Sequence, residues 1–211
     1  FTDQGLLDEH TLIVDWGDPN SPADATFALP ATSALTPGST FSSPTDASIL
    51  IIEGVNVQTG RVDVRLTHQY LDDGPAPGNG TIADASVIQM TVSDDDGASR
   101  SGTIGNVTVF NLAPAPTGPI TSGSIPENGT IAVNTSFTDP GLLDEHTLIV
   151  DWGDPNSPAD ATFALPGTKS LTPGTTFSSS TDAAQLTIVA VNLQTGRVDF
   201  LVAHQYLDDG L

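Results

Sequence analysis

With 26 acidic side chains against five basic ones, this chain of 211 residues carries a formal charge of −21. Nucleic acid and anionic membrane surfaces are therefore poor partners, because the phosphate term is repulsive. The absence of cysteine excludes a disulfide framework and a thiolate metal site, and no apolar run approaches the ~18 residues of a membrane-spanning helix.

Along the chain, apolar residues alternate with period two, the signature of strands with one buried face. Leu12, Val14 and Trp16 share one such face, and a short run follows at residues 49–52. Val62, Val64, Leu66, His68 and Tyr70 line a third strand, and further candidates lie at 87–92, 108–110 and 131–137. Val198, Phe200, Val202, His204 and Tyr206 repeat the third pattern. Val, Ile, Thr and Phe dominate these runs, as a pleated, half-buried surface favours. Turn clusters such as Gly17-Asp18-Pro19-Asn20 and Gln58-Thr59-Gly60 separate them. With 20 Gly and 16 Pro in the chain, this spacing predicts an all-β fold of antiparallel β-sandwiches. The Pro-rich interval 112–119 reads as an extended, semi-rigid linker.

The chain repeats itself at an offset of 136 residues. Residues 1–30 recur as 137–166 with one change, Gln4 to Pro140, and residues 31–74 match 167–210 at 29 of 44 positions. A period of this length is a whole domain, which makes the object a piece of a tandem array. The expected division is a first copy over 1–112 lacking its first strands and a second over 113–211 lacking its last. Both termini fall inside repeats. The expectation is a window from a longer polypeptide, or chains that complete one another by lending strands.

Three stretches, taken in order, resemble the PKD-type immunoglobulin-like repeats of bacterial surface proteins: Val14-Asp15-Trp16-Gly17-Asp18, His68-Gln69-Tyr70 and Met90-Thr91-Val92-Ser93-Asp94. Phe137-Thr138-Asp139-Pro140-Gly141 and Asp144-Glu145-His146-Thr147 look like the variant found in very large bacterial repeat proteins. The resemblance spans a 136-residue unit. It departs from the family at Val14 and Pro19 and in a long insertion between the third and fourth strands. It implies tandem immunoglobulin-like sandwiches, with Tyr70 as the corner tyrosine whose hydroxyl ties back to backbone.

The acid is almost all aspartate, 22 Asp to four Glu, a choice that suits turns and compact oxygen-ligand sites better than helix surfaces. Laid out in immunoglobulin strand order, Asp3, Asp139, Asp8, Asp144, Asp94, Asp95 and Asp96 fall at one pole of a repeat. Asp15, Asp18, Asp151, Asp154, Asp72, Asp73, Asp208 and Asp209 fall at the other. In a head-to-tail array the two poles meet, and carboxylates converge at each junction. A hard cation taking six to eight oxygens at ~2.3–2.6 Å relieves that repulsion, and calcium is the natural candidate. Solvated loop acid is the competing reading. His68, His204, His10 and His146 read as hydrogen-bonded structural histidines, and Trp16 and Trp152 as core.

No nucleophile–base arrangement, phosphate loop or metalloprotease signature is present, so the expectation is a non-enzyme. The sequence reads as a structural repeat of a secreted or cell-surface bacterial protein, a calcium-stiffened stalk or extracellular fibre. Its expected partners are neighbouring repeats, with strand exchange as a route to a homopolymer and with neither nucleic acid nor membrane insertion. A carbohydrate- or ligand-binding module of an adhesin or secreted hydrolase is the alternative, and it calls for exposed aromatics on one face.

Overall fold

The computed structural model describes residues 1–21, 23–118, 123–157 and 159–208. Among the described residues, strands make up 48% and there is no α-helix, and every sheet is antiparallel wherever its pairing is defined. The chain forms β-sandwiches, and it divides into two compact units. One comprises Phe1–Tyr70 with Ala83–Val109, the other Leu71–Ile82 with Phe110–Leu211.

In the first unit, β1 (His10–Asp15), β2 (Ala25–Leu29), β3 (Thr40–Ser42), β4 (Ile49–Asn56), β5 (Arg61–Thr67), β6 (Ala83–Asp94) and β7 (Ser99–Phe110) form two sheets. Their orders are β2-β1-β6-β7 and β3-β4-β5. Alternation decides which side chains face inward: Leu12 and Val14 of β1, Phe27 of β2, Leu50 and Ile52 of β4 and Val62 of β5 are at most 1% exposed. They close into one apolar cluster with Trp16, Leu29 and Leu35. Each such side chain contributes about 1.5–3 kcal/mol by leaving water, so this cluster is the main source of the unit's stability.

In the second unit, β8 (Ala115–Thr117), β9 (Thr130–Thr138), β10 (His146–Val150), β11 (Ala161–Leu165), β12 (Thr176–Ser178), β13 (Gln185–Asn192) and β14 (Arg197–Gln205) follow. They form a β10-β11 pair and a five-stranded sheet ordered β12-β13-β14-β9-β8. Its core holds Phe137, Phe163, Leu186, Ile188, Val198, Phe200 and Val202. The proline-rich interval is thus not purely a spacer: Ala115–Thr117 pairs with β9, Pro116 lying opposite Phe137. Proline is tolerated there because β8 is an edge strand with no further neighbour to receive its missing N–H. Pro119 lies outside the described residues.

The sequence repeat is reproduced as a structural one. His10↔Leu29 to Val14↔Ala25 in the first unit become His146↔Leu165 to Val150↔Ala161 in the second. A bulge between Ile52 and Gly54 recurs between Ile188 and Ala190. The turn before β5 needs glycine in both copies: Gly60 has φ +68° and Gly196 φ +70°, and a Cβ on either would land on the carbonyl oxygen of Asp3 or Asp139. Strand β5 ends at Thr67, whereas β14 runs to Gln205. The reason is lateral support. β14 is paired along its full length by β9 as well as β13, whereas β5 has β4 on one side and only the Thr2 bridge on the other.

Candidate functional site

The loop entering β1 is an aspartate cradle. Asp3 Oδ1 accepts the Gly5 N–H at 2.9 Å, and its Oδ2 lies 3.1 Å from His10 Nε2. His10 is the first residue of β1, where it is buried against the Phe1 ring. A Cβ on Gly5 would fall on the Asp8 carboxylate, so the absence of a side chain there lets Asp8 fold back over the loop. Asp94 sits opposite His10 at the end of β6. Carboxylate oxygens of Asp3, Asp8 and Asp94 consequently lie within 4.8 Å of one another. The Gly5 N–H, then His10, hold the Asp3 carboxyl below its ordinary value. Asp8 is pushed up, first by lost hydration and then by the charges of Asp3, Asp95, Asp96 and Asp94.

The second unit repeats the cradle with a different neighbour. Asp139 accepts the Gly141 N–H at 2.9 Å and faces His146 Nε2 at 3.0 Å, and a Cβ on Gly141 would again fall on the following aspartate, Asp144. Against this pair lies Leu71–Ile82, tied down by the Leu142 N–H donating to the Leu71 carbonyl at 2.9 Å. Asp72 and Asp73 of that segment are 5% and 7% exposed, and Asp139 is 1% exposed. Asp72 Oδ1 accepts the Asp73 N–H at 2.7 Å. Its Oδ2 is buried without a hydrogen-bond partner. Lost hydration, then the Asp144 charge, raises Asp72. Lost hydration, then the Asp139 charge, raises Asp144.

The remaining predicted ligands are placed otherwise. Asp15 and Asp151 accept the N–H of Gly17 and Gly153, each at 2.8 Å, which closes a local turn. Asp18 and Asp154 face His68 and His204 Nε2 at 2.9 and 3.0 Å. On the far side of each ring, Nδ1 faces Asp46 at 3.5 Å or Asp182 at 3.4 Å. Each imidazole is thus gripped between two buried carboxylates, with Trp16 or Trp152 stacked on its face at 4.9 and 5.0 Å. Asp18 and Asp154 are histidine partners here. Asp46 and Asp182 escaped sequence reasoning, although both copies retain the Thr-Asp-Ala that contains them. Asp95, Asp96 and Asp208 are exposed, and Asp209 lies outside the described residues. The histidines and Trp16 occupy the structural, core positions expected of them.

What this arrangement can do chemically is bind cations. In the first unit Asp3, Asp8 and Asp94 gather hard carboxylate oxygens within 4.8 Å of one another, and the Asp-x-Gly-x-x-Asp loop that carries two of them recurs in the second unit as Asp139–Asp144. Comparison with family models, curated proteins and solved structures returned no match.

Proposed function

We infer that the chain is a structural tandem repeat of a secreted or cell-surface bacterial protein, one section of a calcium-stiffened stalk or extracellular fibre built from PKD-type immunoglobulin-like sandwiches. One observation supports this reading above the rest. Two units separated by 136 residues keep the same strand register, the same bulge and the same Gly-dependent turn. A spacer needs one mechanical unit many times over. The acid loop supplies the calcium part: the hard oxygens of Asp3, Asp8 and Asp94 gather at the entry to β1, and the same Asp-x-Gly-x-x-Asp loop precedes β10. Neighbouring repeats are the partners, and strand exchange between chains is the route to a homopolymer. The carbohydrate-binding alternative draws little support, since Phe110 is the one exposed aromatic among the described residues.

Small-angle scattering of the 211-residue chain, with millimolar calcium and with excess chelator, tests this. A longer maximum dimension and a narrower spread of conformations in calcium are expected. Identical profiles in the two conditions, with a flexible chain in both, would count against a stiffened stalk. Sedimentation of the same samples distinguishes fibre from monomeric stalk.

A further inference from the structure

The seven residues His10–Trp16 recur unchanged as His146–Trp152, yet the two copies lie in different surroundings. Both pair on one side with the strand that follows, β2 or β11, in the same register. On its other side β1 pairs with β6, whereas β10 has no second neighbour among the described residues. Burial follows that difference. Leu12 and Val14 are fully buried and Trp16 is 7% exposed, while Leu148, Val150 and Trp152 are only partly buried against their core. Ile149, on the outer face, is 62% exposed against 37% for Ile13. The turn beyond shows the same gap: a Cβ on Gly17 would press on the Val87 backbone of β6, and a Cβ on Gly153 would meet open space. Edge strands are commonly guarded by a lysine, a proline or a bulge. The run His146-Thr147-Leu148-Ile149-Val150 has none of these and keeps an unbroken register with β11.

The first unit shows what fits such an edge. β6 lies antiparallel to β1 from His10↔Asp94 to Asp15↔Gln89, which sets Val92 opposite Leu12 and Met90 opposite Val14. Both side chains pack on the core, together with Ile88. Ser86 Oγ donates to the Gly17 carbonyl at 3.0 Å, and Ser93 Oγ to the Thr11 carbonyl at 3.4 Å. Thr11, Leu12, Val14 and Gly17 all have identical counterparts in the second unit, at Thr147, Leu148, Val150 and Gly153. We propose that the free edge of β10 is an acceptor site for a hairpin of the β6–β7 sequence supplied by another chain of the same repeat, seated with Val92 opposite Leu148 and Met90 opposite Val150. This rests on the strand exchange inferred above, and it adds the edge, the donor and the register. Backbone hydrogen bonds along β10 supply affinity, and the side chains of Ile88, Met90 and Val92 supply specificity. The apolar area that Leu148, Val150 and Trp152 still show to water is the driving force.

The test adds a synthetic peptide of residues 83–110 to the 211-residue chain in about 0.5 M NaCl, which screens the chain's charge of −21. The free peptide has no β1 of its own to leave, so it reads the acceptor edge alone. Binding is followed by amide hydrogen exchange and by acrylamide quenching of tryptophan fluorescence. The expected result is one-to-one binding that slows exchange at least tenfold within His146–Val150 and leaves His10–Asp15 unchanged. Quenching of Trp152 should fall toward that of Trp16. A peptide carrying Val92→Asp, which sets a charge against Leu148, should bind at least tenfold more weakly. No protection of β10 at millimolar peptide would overturn the acceptor site, and so would protection confined to β1. Equal binding of the Val92→Asp peptide would overturn the register. Strand exchange as such is judged separately, by sedimentation of the unaltered chain alone, and the stalk by scattering.

Discussion

The Tyr70 hydroxyl donates to the Trp16 carbonyl at 2.6 Å, and 136 residues later Tyr206 donates to Trp152 at the same distance. Each bond ties the residue that follows β5 or β14 to the stretch that follows β1 or β10, 54 residues earlier. Tyr70→Phe leaves that carbonyl without its donor and keeps the ring. The expected cost is about 1 kcal/mol, read as a lower denaturant midpoint at unchanged slope, and Tyr206→Phe should match it. Burial, and then the Asp18 or Asp154 charge, raises both phenols above their ordinary value of 10.0. With the folded value raised, their contribution is complete below the unfolded value and is lost as pH rises through the folded one. An alkaline limb of unfolding beginning near pH 10 should accompany the native protein.

His68 between Asp18 and Asp46 is the most consequential polar contact of the first unit. Removing the ring strands two buried carboxylates, so His68→Gln should cost about 3–5 kcal/mol, and His204→Gln should do the same to the second unit. Circular dichroism during denaturation measures both. Acid acts on the same groups. Burial alone pushes Asp46 up, but hydrogen bonds from Ser48 and Ser43 and the His68 charge outweigh it and leave the carboxyl below 3.8. Asp154 is lowered mainly by its bond to His204. Lowered folded values mean stability that is present above the unfolded value of 3.8 and is lost as pH falls through the folded values. The histidine clamps should therefore hold to about pH 4 and give way below it.

The two copies of this clamp differ by one hydroxyl. Ser48 donates to Asp46 Oδ2 at 2.6 Å, whereas the second copy has Ala184 and leaves Asp182 Oδ2 buried without a hydrogen bond. Ala184→Ser should restore the donor and stabilise the second unit by up to about 1 kcal/mol, and Ser48→Ala should destabilise the first by a similar amount. Thermal melts of the two variants should move in opposite directions. Shifts of the same sign would show that the hydroxyl acts through packing instead.

Much of this architecture is legible in the sequence because it depends on period-two alternation and on a long, nearly exact repeat. Leu12, Val14 and Trp16 are buried as their spacing predicts, and the strands containing Val62 and Val198 lie where expected. Among the missed strands, β2 and its copy β11 are five-residue runs whose apolar face includes a small alanine, and β3 and its copy β12 are only three residues long; such short faces carry too little side chain to stand out. β8 was hidden by the prolines that suit it to a sheet edge. The acid sites were legible only as a set of candidates. Nothing in the residue types separates Asp18, held by a histidine, from Asp72, buried opposite another acid. That distinction comes from which loop docks on which unit, a long-range fact with no local signature. The same limit hid Asp46, whose partner His68 lies 22 residues away across β4 and β5.

Calcium and protons should compete for the aspartate pairs, which gives the metal reading a pH signature. Asp8, Asp72 and Asp144 are all raised above 3.8, with lost hydration the leading cause. For a raised carboxyl the favourable contribution is complete below the unfolded value and is lost as pH rises through the folded one. Without metal, these groups therefore oppose folding at neutral pH. Calcium binds their ionised form, so its effect on the melting temperature should be largest at pH 7 to 8 and should fade toward pH 4 as protons replace it. At a calcium concentration about 100 times the dissociation constant, mass action adds about 2.7 kcal/mol. That corresponds to a rise on the order of 10 °C for a unit of this size. Asp94→Asn combined with Asp96→Asn should weaken calcium binding severalfold in the first unit and leave its strands intact, because neither residue belongs to the apolar core. Unfolding of that double variant with and without calcium would instead make the β6–β7 turn structural. A calcium shift that is the same at pH 4.5 and pH 7.5 would remove the carboxylates as its source.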